Sequence, residues 1–166
     1  MELVRSIEPE VSERSIANEV LPASFAETAI TMDSETWSDI ETDLRNYDDS
    51  RKCLRAVERL RLESTQEDIP RLLELLKAGE DFFIREAAAW PLAHLAGVQY
   101  LPELFAAYQK GFDDGHDNDG FTAALLEIPA LFPSEAKERI LELCQNAKEP
   151  MRRHAEWLLE FCEEKV

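Results

Sequence analysis

The chain has 166 residues, 45% of them apolar, which suits one folded domain with a buried core. Against 18 Lys and Arg stand 35 Asp and Glu, a formal charge of −17 at pH 7. A surface this acidic repels nucleic acid and anionic membrane, and favours a basic protein as partner.

Residues 1–33 stand apart. They hold Pro9, Pro22 and a modest apolar stretch of Val20, Leu21, Phe25, Ala26 and Ile30. Residues 1–48 carry 12 acidic and 3 basic side chains, so negative charge is densest there. The expectation is an acidic segment, loosely docked as a cap or partly disordered. Glu2, Glu8 and Glu10, with no long apolar run, read against a secretory signal.

From residue 34 to 166 the pattern predicts helix after helix. Ser34 opens the first, with Trp37, Ile40, Leu44 and Tyr47 at helical spacing. Asp49 or Ser50 caps the second, which places Cys53, Val57 and Leu60 on one stripe. That helix also carries Arg51, Lys52, Arg55, Arg59 and Arg61. In a chain so acidic, this basic patch is expected to pair with the N-terminal segment rather than with nucleic acid. Ser64 and Glu67 have the spacing of a capping box for a third helix through Ile69, Leu72, Leu73 and Leu76. Gly79 breaks it.

The fourth helix has its core stripe at Ile84, Ala87, Ala88, Leu92 and Leu95 and ends at Ala96-Gly97. The fifth runs through Tyr100, Leu101, Leu104, Phe105 and Tyr108, with Gly111 as its close. A polar loop spans residues 113–120. Phe121, Ala124, Leu125, Ile128 and Phe132 mark the sixth helix. Ser134 caps a seventh, holding Ala136, Ile140, Leu141 and Cys144. After Lys148-Glu149-Pro150, an eighth carries Met151, Ala155, Leu158, Leu159 and Cys162. No segment has the alternation of a strand. No run approaches the roughly 18 apolar residues of a membrane span. Cys53, Cys144 and Cys162 form no metal or disulfide framework, as expected of reduced thiols in a cytoplasm.

The fourth and eighth helices repeat one another. Residues 84–95 read I-R-E-A-A-A-W-P-L-A-H-L, and residues 151–162 read M-R-R-H-A-E-W-L-L-E-F-C. Arg85 aligns with Arg152, Ala88 with Ala155, Trp90 with Trp157 and Leu92 with Leu159. The offset corresponds to two helix-pair units of roughly 33 residues each. Pro70, Leu72, Leu73 and Leu76, then Gly79 and Asp81, then Ile84-Arg85 and Ala87-Ala88-Ala89 resemble a HEAT-like repeat of the phycobilisome-lyase type. The resemblance covers residues 64–162 and, in period only, residues 34–63. It implies an all-α fold, a short right-handed α-solenoid of about four helix pairs, and a binding role with no catalytic residue. It also implies that Arg85 and Arg152 tie neighbouring repeats together.

Trp90 lies off the core stripe of its helix, near Glu86 and His94, and Trp157 lies off its own stripe, near Arg153 and Phe161. Exposed tryptophans there are natural anchors for a partner; the alternative is that neighbouring repeats on two sides bury them. Asp113, Asp114, Asp117 and Asp119 make the loop an acidic finger that complements a basic surface. As an EF-hand the loop fails, because Gly115 and Leu126 stand where two ligands belong, so no metal is expected. The sequences of phosphate loops, nucleophile elbows and H-E-x-x-H sites are missing, and His94, His116 and His154 are scattered.

The expected function is therefore non-enzymatic and cofactor-free. One protein partner, basic in charge, would be bound in the cytoplasm, as an acidic immunity or inhibitor protein occludes a bacterial toxin domain. The alternatives are a bilin-lyase-like subunit that holds a tetrapyrrole between its tryptophans, and a general scaffold.

Overall fold

The structure, a computed structural model, describes residues 32–77 and 81–162. The expected N-terminal cap thus falls outside the described residues, except for Met32 and Asp33. So does its pairing with the basic helix. Among the described residues there are eight α-helices and no strand. They are α1 (Ser34–Leu44), α2 (Ser50–Glu63), α3 (Ile69–Lys77), α4 (Phe82–Ala96), α5 (Leu101–Asp113), α6 (Asp119–Leu131), α7 (Pro133–Asn146) and α8 (Met151–Leu159). A short 3-10 turn, Gln66–Asp68, leads into α3. No described helix is long and apolar enough to cross a membrane.

Side-chain caps fix several starts. Asp33, Asp49 and Asp81 each accept backbone N–H bonds from the first turn of α1, α2 and α4. The capping box before α3 sits one residue later than its expected register. Thr65 and Asp68 form it, while Ser64 caps the end of α2 and turns its hydroxyl back to the Leu60 carbonyl. Ser134 is not a cap either. Pro133 opens α7 and Ser134 already lies inside it.

The predicted stripes enter the core with local shifts. Ala56 is buried where Val57 was expected, Leu75 where Leu73 was, and Leu143 where Leu141 was. In α4 the burial extends beyond the predicted stripe to Ala89 and Ala93. The reason is a second neighbour. α2 and α6 both pack on α4, one on each side, and α3 covers a third.

The three helices α2, α4 and α6 lie side by side and run the same way. Tyr47, just before α2, meets Phe83 at the start of α4, and Gln66, just after α2, donates to the Leu95 carbonyl near its end at 2.6 Å. Likewise Glu86 meets Gly120 at the start of α6, and Gly97 meets Ile128 late in it. A Cβ at Gly97 would fall 2.7 Å from Ile128 Cγ1, so a small residue is required for this approach. The pairing is uneven toward the end of the chain. α5 and α6 meet chiefly near their connecting loop, through Tyr108, Phe121 and Thr122, whereas α7 and α8 pack closely on each other and α8 also touches α5.

Candidate functional site

α4 exposes one column, Glu86, Trp90 and His94, each one turn apart and each partly exposed. The rest of its circumference is occupied by the core. Trp90 is half-buried. The Arg61 guanidinium from α2 covers its ring at 3.8 Å from the centroid, and His94 lies at 4.8 Å on the other flank. His94 in turn reaches Glu127 of α6 at 3.8 Å. The column predicted from spacing therefore exists, and residues of α2 and α6 frame it.

At its upper end, Glu86 lies against Gly120 in the first turn of α6, where any Cβ would collide with its carboxylate. A helix N-terminus favours such a charge. Burial nevertheless pushes the Glu86 carboxyl above its ordinary range, and Asp117 and Asp119 add repulsion. Relative to the unfolded chain, folding thus favours the protonated form. Its stabilisation is complete below the unfolded glutamate value and is lost as pH rises through the higher folded value. Glu86→Gln should therefore melt higher than the native protein at about pH 7 and no higher at about pH 4. Thermal melts across that range decide it, and a lower melting temperature at neutral pH would count against the repulsion.

The acidic loop divides into parts. Asp114 is taken up internally, by Arg85 at 2.7 Å and by Lys110 at 2.8 Å. Asp113 accepts from Gln109 at 2.8 Å but stays exposed. Asn118 is buried with a left-handed φ of 60° and donates to the Tyr108 carbonyl at 2.9 Å. Asp117 and Asp119 remain exposed on the Glu86 side. His116 stacks on Phe82 at 4.2 Å, and Tyr47, Asp81, Phe82, Phe83 and His116 line a depression of about 430 Å³. The sequence reading passed over Phe82 and Phe83 and put Tyr47 on the stripe of the first helix; α1 ends at Leu44, so Tyr47 falls in the turn that follows and is 57% exposed. The signal for the two phenylalanines was position: aromatics directly after the Asp81 cap, outside the core stripe of α4.

Trp157 and Arg153 lie on a different surface. With Tyr108, Gln109, Phe112 and His154 they line a groove of about 440 Å³ between α5 and α8. The Trp157 ring lies 5.9 Å from Tyr108 and 5.5 Å from Phe161. His154 is buried there and pairs with Gln109 at 2.9 Å; burial, aided by Arg153, pulls its pKa down. The aligned arginines diverge as well. Arg85 is 1% exposed and holds Asp114, whereas Arg152 is exposed and pairs with Glu149 of the adjacent turn.

Among the described residues, no three His, Cys, Asp or Glu side chains converge as a metal site would require. No family model, curated protein or solved structure matches the chain.

Proposed function

We propose that the chain is a non-enzymatic, protein-binding α-solenoid of HEAT-like type, and that it binds a basic protein through the Glu86–Trp90–His94 column and the neighbouring loop. Three parallel helices with a period near 33 residues, and the resemblance to the phycobilisome-lyase-type repeat, support the architecture. One observation carries the binding role. Glu86, half-buried, is crowded by Asp117 and Asp119 one turn from a partly buried tryptophan. Such a cluster costs the free protein stability, and a partner's Lys or Arg would relieve the repulsion while an apolar contact engages Trp90.

The class of protein this suits best is an acidic immunity protein of the cytoplasm. Its carboxylates would take the place of phosphate in the active site of a basic toxin such as a nuclease. A tetrapyrrole held between two tryptophans has less support, because Trp90 and Trp157 line different surfaces.

Capture of the partner from the host, followed by binding kinetics at two salt concentrations, tests the reading. Trp90→Ala should weaken binding by about 2 kcal/mol or more. Replacing Asp117 and Asp119 with Asn should slow association and flatten its salt dependence, because rim charges steer encounter. An acidic partner, or an affinity indifferent to both changes in folded variants, would sink the proposal.

A further inference from the structure

We infer that the α5/α8 groove is a second docking site, shaped for a short basic amphipathic helix of a partner protein. This adds a surface to the function proposed above and shares with it only the basic character of the partner.

Five rings form a connected cluster: Phe112 on Tyr108 at 4.9 Å, Tyr108 on His154 at 5.1 Å, Tyr108 on Trp157, and Trp157 on Phe161. Phe112 and Phe161 leave 46% and 49% of their surface in solvent. Two half-exposed phenylalanines joined through a half-buried tryptophan make a contiguous aromatic patch, which a soluble protein seldom leaves open without a partner. The floor is stiff. His154 is clamped to Gln109, and the Tyr108 hydroxyl is bonded to Thr122 at 2.8 Å. Little ordering is then needed on binding.

The groove follows α8, whose nine residues extend about 13 Å, room for about two turns of a helix with apolar anchors at i and i+4. Charge selects the occupant. Asp113 stands exposed beside Phe112 and holds the groove residue Gln109 at 2.8 Å, and the exposed Glu160 caps α8 three positions after Trp157. The groove's own cation, Arg153, faces Glu149 at 3.6 Å. A second copy of this chain would bring the same acidic rim and a further charge of −17, so self-association is opposed.

The test is a nuclear magnetic resonance titration of the ¹⁵N-labelled full chain with a model amphipathic helix of leucine and lysine. Two control peptides keep the length. One replaces lysine with glutamate, the other leucine with serine. The leucine–lysine peptide should move the Trp157 indole N–H and the amides around Tyr108–Phe112 and His154–Phe161, and both controls should bind at least about tenfold more weakly. Phe112→Ser with Phe161→Ser should cost about tenfold in affinity, whereas Trp90→Ala leaves this titration unchanged. Asp113→Lys with Glu160→Lys, both at exposed positions, should invert the preference between the lysine and glutamate peptides. Shifts centred on Glu86 and Trp90, equal binding of the serine control, indifference to the rim reversal, or a dimer in sedimentation would each overturn the assignment. Loss of the Trp90 effect on a captured partner would leave this result standing, so the two proposals fail separately.

Discussion

Gly111→Ala is expected to lower the stability of the free protein by about 3 kcal/mol, which is about 10 °C in melting temperature. Gly111 does not close its helix, as its residue type suggested. α5 continues to Asp113, and Gly111 sits inside it because Asn118 Oδ1 occupies the space where a Cβ would stand. An alanine there forces Asn118 out. The Tyr108 carbonyl then loses its bond from Asn118 Nδ2, and the left-handed turn that starts α6 loses its anchor. Asn118→Gly makes room and tolerates φ of 60°, though it forfeits the bond. The double variant should therefore be more stable than Gly111→Ala alone, a non-additivity that a double-mutant cycle by urea denaturation measures. Strictly additive losses would show that the two residues do not compete for this space.

Arg85→Leu should cost on the order of 2 kcal/mol, since it removes a charge-assisted hydrogen bond made by a buried guanidinium, while Asp114 itself is exposed and keeps Lys110. The side chain is 1% exposed, and its Nη2 stands 2.7 Å from Asp114 Oδ2. Arg85→Lys should recover little, because an ammonium cannot reproduce the planar fork. pH supplies an independent check. Lys110 first, and then Arg85, hold the Asp114 carboxyl below its ordinary range against an opposing desolvation. That stabilisation is complete above the unfolded aspartate value and is lost as pH falls through the folded one. The gap between native and Arg85→Leu proteins should thus narrow in acid. A gap that is absent at neutral pH would contradict a structural role for the pair. A consequence for binding follows: Asp114 is engaged within the protein, and Asp117 and Asp119 are the loop acids left to meet a partner.

Much of the fold was legible because helical periodicity is local. Ile84, Ala88 and Leu92, or Ala136 and Ile140, face inward since an apolar stripe must be buried somewhere, whatever covers it. The same spacing put Glu86, Trp90 and His94 on one outward column, and Asp49 at a helix start. The apolar stripes also ran through two prolines, against the local rule for helix interiors. Pro91 and Pro129 lie inside α4 and α6, although each removes a backbone bond, because packing on several sides holds those helices together.

The sequence by itself determined the helical class, the approximate helix boundaries, the acidic character and the position of Trp90 off its helix's core stripe. Only the tertiary structure decided what each face meets. Trp90 and Trp157 occupy equal positions in aligned segments, yet one packs under Arg61 between α2 and α6, and the other packs on Tyr108 of α5. Arg85 and Arg152 part in the same way, one buried on Asp114 and one exposed beside Glu149. The pattern along a helix specifies which residues seek burial. The partner that buries them is chosen by the path of the whole chain, and that path sets α4 among neighbours on three sides and leaves α8 near the end of the described chain, against α7 and α5.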